Sequence, residues 1–136
     1  MRATFLTQNL QIQMLGSIDE DDPQWDGAIA SSRGGLLIGT ARNDVPFDVE
    51  FFIGDEPSPS EDIFFSTTVA VPPEGMELCL IQEADQELPS ATVGNYLRLP
   101  WSGPTLIQLT APTGFESDSE GTPVPRSLEA YLSPSR

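Results

Sequence analysis

Apolar and polar side chains alternate with a period of two along much of this chain, as they do in β-strands that have one buried face. In residues 46–54, Phe47, Val49 and Phe51 fall on one side of an extended strand, and acidic residues fall on the other. Segments with comparable strand-like patterns lie at 10–14, 34–41, 63–71, 76–81, 95–101 and 105–111. Together these patterns predict about seven strands.

Turn residues separate these segments. The chain has 13 prolines and 11 glycines, and the Pro-Pro-Glu-Gly turn at 72–75 predicts that the strands on either side of it form a hairpin. The Ser-Gly-Pro sequence at 102–104 predicts a second hairpin. No segment before residue 125 shows an apolar repeat of about 3.6 residues. We therefore expect a single all-β domain, an antiparallel β-sandwich of about seven to eight strands with its core in residues 1–111. A single sheet closed on itself is the alternative.

The C-terminal tail, residues 112–136, differs in composition. Its first half is polar, acidic and rich in turn-forming residues, which predicts an exposed loop or a partly disordered linker. Its second half offers Ser127 as an N-cap, followed by Leu128, Tyr131 and Leu132 at the i, i+3, i+4 spacing of a helix face. We expect the tail to add an acidic loop and a short C-terminal helix that docks on the same domain.

The charged residues restrict the chemistry that the chain can perform. Six arginines oppose 21 acidic residues, which gives a formal net charge of −15, and the sequence contains neither histidine nor lysine. Without histidine there is no Ser-His or Cys-His nucleophile pair and no zinc site of the usual kinds. Without lysine there is no Schiff-base nucleophile and no phosphate-binding P-loop. We therefore expect no enzymatic activity and no cofactor.

The net charge also restricts the binding partners. A surface this negative repels nucleic acids and anionic membranes over about 8 Å at physiological salt, and it attracts basic proteins or Ca²⁺. Acidity that only keeps the protein soluble, or that reflects a halophilic source, is the alternative. The N-terminal segment lacks the continuous apolar stretch of a signal peptide, and the single Cys79 lies in an apolar strand-like segment. We therefore expect a protein of the reducing cytoplasm.

Carboxylates surround a tryptophan early in the chain. The stretch SIDEDDPQWDGAI, residues 17–29, places around Trp25 the acidic residues Asp19, Glu20, Asp21, Asp22 and Asp26. A second acidic loop supplies Asp55 and Glu56. Loop carboxylates steer a cationic partner, and an exposed tryptophan supplies the apolar anchor of an interface. We expect these residues to block the basic site of another protein, a nuclease or a toxin. A Trp25 that plugs one end of the sandwich is the alternative.

Two other functions stay open. A sandwich can bind Ca²⁺ or a carbohydrate between end loops, and Asp19 to Asp22 could converge with the acids of 55–62 for this purpose. An EF-hand is excluded, because Pro23 and Gln24 occupy the positions of an oxygen ligand and of the required glycine. A carboxylate pair could also hydrolyse a glycosidic bond without histidine, which makes a small hydrolase the second alternative.

After the early alternating strand, five segments follow one another in the chain: DEDDPQWDGAI, RGGLLIGTA, VEFFIG, TTVAVP and LPWSGPTLIQL. This order, over roughly residues 9–111, resembles that of the small acidic proteins of the competence protein J type. Members of that family are β-sandwich inhibitors that bind and silence a DNA-degrading nuclease of the competence system. The resemblance therefore implies a nuclease inhibitor. The chain departs from the family where Leu-Pro continues as Trp-Ser-Gly-Pro and in the tail after residue 111, so individual contact residues are not transferred.

Overall fold

The protein is all-β in a computed structural model that describes residues 2–7, 11–14, 24–32, 34–43, 45–78, 92–93 and 96–135. These residues contain β-strands and no helix, which confirms the predicted fold class. Within the same ranges, no helix has the length and apolar character needed to cross a membrane.

The largest sheet has five strands. They are, in spatial order, β1 (Arg2–Leu6), β6 (Pro46–Ile53), β14 (Leu128–Pro134), β11 (Gly103–Thr110) and β7 (Ile63–Val71). Strands β6 and β14 run parallel, and the other neighbours run antiparallel. The sheet is therefore mixed, whereas the turn-rich sequence predicts antiparallel pairing throughout.

Three smaller sheets complete the described part of the chain. An antiparallel four-stranded sheet contains, in spatial order, β2 (Gln11–Met14), β5 (Gly35–Gly39), β4 (Ile29–Ser32) and β3 (Gln24–Asp26). A three-stranded sheet contains β8 (Met76–Glu77), β10 (Tyr96–Leu97) and β9 (Thr92–Val93). A separate hairpin pairs β12 (Phe115–Ser117) with β13 (Pro123–Pro125).

One hydrophobic core joins the five-stranded and the four-stranded sheets. On the five-stranded sheet, the rings of Phe5 and Phe51 lie 6.5 Å apart, and both side chains are fully buried. Leu36 and Ile38 of β5 belong to the same buried cluster. Packing of two sheets about a shared apolar layer is a sandwich-like arrangement. Met76 and Leu97 extend the cluster into the three-stranded sheet.

Period-two alternation predicts two strands of the large sheet correctly. In β6, Phe47, Val49 and Phe51 are buried while Asp48 is exposed. Strand β7 has the bounds predicted from the sequence, 63–71. Both segments have one face in the core and one face outside, so their sequence pattern reflects their environment directly.

The two predicted hairpins are wrong. Strand β7 pairs with β11, and β8 pairs with β10, so the turn at 72–75 carries the chain from one sheet to another. Residues 98–102 lead from β10 to β11, which do not pair with each other, and Gly103 and Pro104 already belong to β11. A tight turn reverses the chain locally, but the partner of each strand depends on contacts between residues far apart in sequence.

The predicted C-terminal helix is also wrong, because residues 128–134 form β14 inside the large sheet. Leu128 and Leu132 face the core, and Tyr131 on the opposite face is buried as well. The Tyr131 ring stacks on Phe52 with centroids 4.5 Å apart and planes 9° apart. A strand covered on both faces lacks clean alternation, and its apolar residues then imitate helical spacing.

Residues 112–125 are not a linker, since they contain the β12–β13 hairpin. Val124 is buried at 1% exposure, and its side chain lies next to Gly39 of β5. Asp118 organises the turn, because its Oδ1 accepts the backbone N–H groups of Glu120 and Thr122 at 2.8 and 2.9 Å. The polar composition of this segment thus reflects a turn with its own side-chain hydrogen bonds.

Residues 54–62 connect β6 to β7. These two strands point in the same direction, because β6 is parallel to β14, β14 is antiparallel to β11, and β11 is antiparallel to β7. The connection runs from the end of β6 past β14 and β11 to the start of β7. Asp55 and Glu61 of this segment come within electrostatic range of Tyr131. The connection therefore lies on the sheet face opposite the core.

Candidate functional site

Trp25 lies on a short hairpin at one end of the four-stranded sheet. It pairs with Ala30, and Asp26 pairs with Ile29, which leaves Gly27 and Ala28 as a two-residue loop. Gly27 has φ 61°, a conformation that a type II′ turn requires at its first loop position and that glycine adopts without strain. A glycine at the first loop position, as in Gly27-Ala28, is a hairpin signal that could have located this element from the sequence.

A groove of about 400 Å³ lies beside the hairpin. Trp25, Gly27 and Thr40 form part of one wall, and Asp118 and Glu120 of the β12–β13 turn form part of the other. We call this the Trp25 groove. It brings Trp25 together with an acidic turn that lies more than ninety residues later in the chain.

The Trp25 side chain is 52% exposed and does not belong to the buried cluster. The alternative in which Trp25 plugs an end of the core is therefore wrong. A large apolar side chain held half in water is the kind of feature that marks an interaction site. Asp26, the next residue in the chain, and Glu120 are exposed as well, and Glu120 lines the same groove as the indole.

Asp118 has a structural role besides its charge. Its Oδ1 holds the β12–β13 turn through two backbone N–H groups. This fixes the wall of the groove that faces Trp25. The sequence contains a signal for this turn, Asp-Ser-Glu-Gly at 118–121, but nothing in it places the turn opposite Trp25, because that placement depends on the packing of Val124 against Gly39.

A second groove, of about 520 Å³, adjoins the first and shares Thr40 with it. Arg42, Arg126 and Glu116 take part in its lining. Arg42 and Glu116 form an ion pair at 3.8 Å, and the Arg42 side chain is 72% exposed. An exposed pair of this kind contributes at most about 1 kcal/mol. Arg126 donates its Nε–H to the carbonyl of Phe115 at 3.2 Å.

The other predicted site residues are not brought to the Trp25 groove. Residues 19–22 lie outside the part of the chain that the structure describes. Asp55 and Glu56 follow the end of β6. The start of β6, at Pro46, lines the second groove together with Thr40. Eight residues of strand span roughly 23 Å. Asp55 therefore lies on the order of 20 Å from the second groove, which adjoins the Trp25 groove at Thr40.

Asp55 instead approaches Tyr131. Burial raises the pKa of the Tyr131 hydroxyl above 10.0, and the negative charges of Glu129, Glu61 and Asp55 raise it further. Glu129 is itself anchored, because its Oε1 accepts the hydroxyl of Thr110 at 2.8 Å. In the described ranges, no three Cys, Asp or Glu side chains are grouped as a metal site requires.

Trp101 has a structural environment. It packs against the core cluster, and its Nε1–H donates to Thr105 Oγ1 at 2.9 Å. Thr105 is fully buried, and its hydroxyl donates in turn to the carbonyl of Gly103 at 3.2 Å. Of the two tryptophans, Trp25 alone presents half of its surface to water.

Comparison with family models, with curated proteins and with solved structures finds no match to this chain. The resemblance to the competence protein J type therefore stays a prediction.

Proposed function

We propose that this chain is a non-enzymatic acidic binding protein that uses the Trp25 groove and its rim to occupy the basic site of another protein, a nuclease or a toxin. The observation that carries the proposal is the half-exposed Trp25 beside Asp26, facing Asp118 and Glu120 across a groove. The four acids of residues 19–22 precede Trp25 by only a few residues in the sequence, and we include them in the proposed binding stretch.

The indole would supply affinity. A tryptophan buries about 150–250 Å² when fully covered, and the 52% exposure of Trp25 leaves on the order of 100 Å² to be removed from water by a partner. At roughly 25 cal/mol per Å², that burial contributes about 2–3 kcal/mol. Few residues on a surface can contribute as much, which is why aromatic side chains dominate interface energetics.

The carboxylates would raise the rate of association and select the partner. Solvated charges add little net affinity, but a field of one sign steers an oppositely charged protein into contact and rejects proteins of the same sign. A nuclease or toxin that acts on nucleic acid has a basic groove for phosphates. Carboxylates held around an apolar anchor match the charge of those phosphates. The resemblance stated above points to the same class of partner.

The experiment is affinity capture from a lysate on the immobilised protein, followed by a binding isotherm with the purified captured partner. We expect Trp25→Ala and the double variant Asp26→Asn with Glu120→Gln each to weaken binding at least about tenfold, which corresponds to about 1.4 kcal/mol. The dissociation constant should rise with salt, because screening removes the charge attraction.

A matched control variant removes two negative charges at a site away from the Trp25 groove. Asp55→Asn with Glu56→Gln also changes two exposed acids to amides, but at the far end of β6. We expect this variant to bind as the parent protein does. Binding that is insensitive to the Trp25 variants, or equally sensitive to both double variants, would reject the Trp25 groove as the interface.

A further inference from the structure

Strand β7 forms one edge of the five-stranded sheet and is unusually free of charge. Its nine residues, IFFSTTVAV, contain no acidic or basic side chain, no proline and no glycine, in a chain with a net charge of −15. The other edge strand, β1, is five residues long and begins with Arg2. Proteins ordinarily protect long edge strands with charges, prolines or bulges, because the unpaired backbone groups can pair with another chain. Strand β7 has a bulge at Phe64, near its start, and pairs regularly with β11 from Phe65 to Val71.

The outer side of β7 is open in the described residues. Strand β11 pairs with it from Ile63 to Val71, and no other described strand pairs with it. Phe65 and Thr67 point to the same side as the buried Val69 and Val71 but are only half-buried. The core is therefore incompletely covered along the first half of β7.

Apolar surface continues beyond the strand. Ile63 is 41% exposed, and Phe115 of the neighbouring hairpin is 42% exposed. The Phe115 ring meets Phe64 edge to face, with centroids 5.2 Å apart. A strand with free backbone groups and an apolar flank has both components that strand addition uses.

We propose that β7 pairs antiparallel with β7 of a second copy of this chain, about a two-fold axis at Thr67. The strand has nine residues with Thr67 at its centre, and in this register the pairs from Phe65 to Val69 lie inside the part of the strand that is free of the Phe64 bulge. The cross-strand pairs are then Ile63 with Val71, Phe64 with Ala70, Phe65 with Val69, and Ser66 with Thr68. Aromatic and β-branched residues oppose each other, as do two hydroxyl residues, and both kinds of pair are favourable in antiparallel sheets.

Charge is compatible with this register. Continued beyond the strand, it sets Asp62 of one copy opposite Pro72 of the other and Glu61 opposite Pro73. No acid then faces an acid, although each copy carries −15. The two prolines lack N–H groups and end the pairing. A shift that brought Asp62 to the axis would place like charges directly opposite, which destabilises a sheet.

The dimer would join the two large sheets into one sheet of ten strands, five from each copy. A two-fold interface of this kind is closed, because each β7 edge is used once. Since like-charged copies repel each other, association should strengthen as salt rises. This dependence is opposite to that of the acidic groove with a basic partner.

The first test measures the mass of the purified full chain by sedimentation or light scattering, from micromolar to submillimolar concentration at low and high salt. We expect a dimer that becomes tighter with salt. Thr68→Lys should raise the dissociation constant by about tenfold or more, because the two lysines would lie on diagonal positions about 7–8 Å apart. The matched control is Thr4→Lys on β1, the other edge of the same sheet, which should leave association unchanged.

The second test determines the register and is carried out in a Cys79→Ser background. Across the two-fold axis, Thr67 faces its own copy at about 4.5–5.5 Å between Cα atoms, within the range of a disulfide. Thr67→Cys should therefore give a covalent dimer on oxidation. Ala70→Cys is a matched control on the same strand, because its two copies would be six residues apart along the strands, about 20 Å. Thermal unfolding checks that each variant is folded.

Three results would each overturn the proposal. These are a monomer at every concentration in high salt, assemblies that grow beyond two copies, and cross-linking through Ala70→Cys as efficient as through Thr67→Cys.

Discussion

The two tryptophans of the chain occupy contrasting environments, and their substitution should separate binding from stability. Trp25→Phe should change the free energy of unfolding by less than about 0.5 kcal/mol, because the side chain is half exposed and outside the core and most of the covered ring is retained. Trp101→Phe loses the hydrogen bond to Thr105 and should cost about 1 kcal/mol. Urea unfolding of both variants measures the difference. Equal destabilisation by the two substitutions would contradict the assignment of Trp25 to the surface.

Tyr131 should make stability fall at alkaline pH. Burial and the nearby acids raise its pKa above 10.0 in the folded chain, so the neutral phenol is favoured by folding. This contribution is complete below pH 10.0 and is lost as pH rises through the raised pKa of the folded state. Urea midpoints measured across this range should decline less in Tyr131→Phe.

A phenolate absorbance titration of Glu129→Gln tests the cause of the Tyr131 shift. Removal of the Glu129 charge should lower the pKa of Tyr131, while the amide oxygen can still accept the Thr110 hydroxyl. A titration curve identical to that of the parent protein would show that Glu129 does not act on this hydroxyl.

At the scale of a single turn, two glycines should respond differently to alanine. Both Gly54 and Gly75 have positive φ, 82° and 105°, so either substitution strains the backbone by about 1–2 kcal/mol. A Cβ at Gly54 meets nothing, whereas a Cβ at Gly75 would collide with the carbonyl of Leu97. We expect Gly75→Ala to destabilise by about 2–5 kcal/mol in total. Urea unfolding measures both, and equal losses would contradict the close approach of Gly75 to β10.

At the scale of the sheet, the C-terminal strand should be essential for folding. Deletion of residues 128–136 removes β14 and separates β6 from β11, the two strands that it joins. We expect this deletion to abolish the cooperative unfolding transition and the strand signal in circular dichroism. Deletion of Ser135 and Arg136 alone is the control and should leave a folded protein. A folded variant that lacks all of β14 would contradict its central position.

At the scale of the whole molecule, the net charge of −15 should oppose folding at low ionic strength, because like charges are brought together in the compact state. The melting temperature should therefore rise with NaCl, as screening weakens this repulsion. Comparison of CaCl₂ with MgCl₂ at equal concentration separates screening from a specific site. We expect similar curves for the two salts. A distinctly higher melting temperature in Ca²⁺ would support the calcium-binding alternative, since a ligand that binds only the native state stabilises it.

Period-two alternation correctly predicted those strands that have one face in the core and one face outside. β6 and β7 were predicted from alternation, because each has one face in the core and one outside. The pairing of strands was not predictable from the turns, as β7 and β8 show by belonging to different sheets. β14 escaped prediction because the stacking of Tyr131 on Phe52 buries its second face.

Some residues of the candidate site were predicted from the sequence, and others were not. Trp25 and Asp26 were found from the sequence, because they belong to one continuous acidic stretch. Asp118 and Glu120 were not expected beside them, and Asp55 and Glu56 were expected nearer to them than they lie.

The sequence by itself determined the all-β class, the excess of negative charge and the absence of histidine and lysine chemistry. These properties depend only on composition and on neighbours in the chain. The tertiary structure decided which strands pair, which acids line the groove with Trp25 and which strands lie at the edges of the large sheet among the described residues. Those features depend on contacts between segments that the chain brings together from far apart, and local sequence does not encode the partner of a strand.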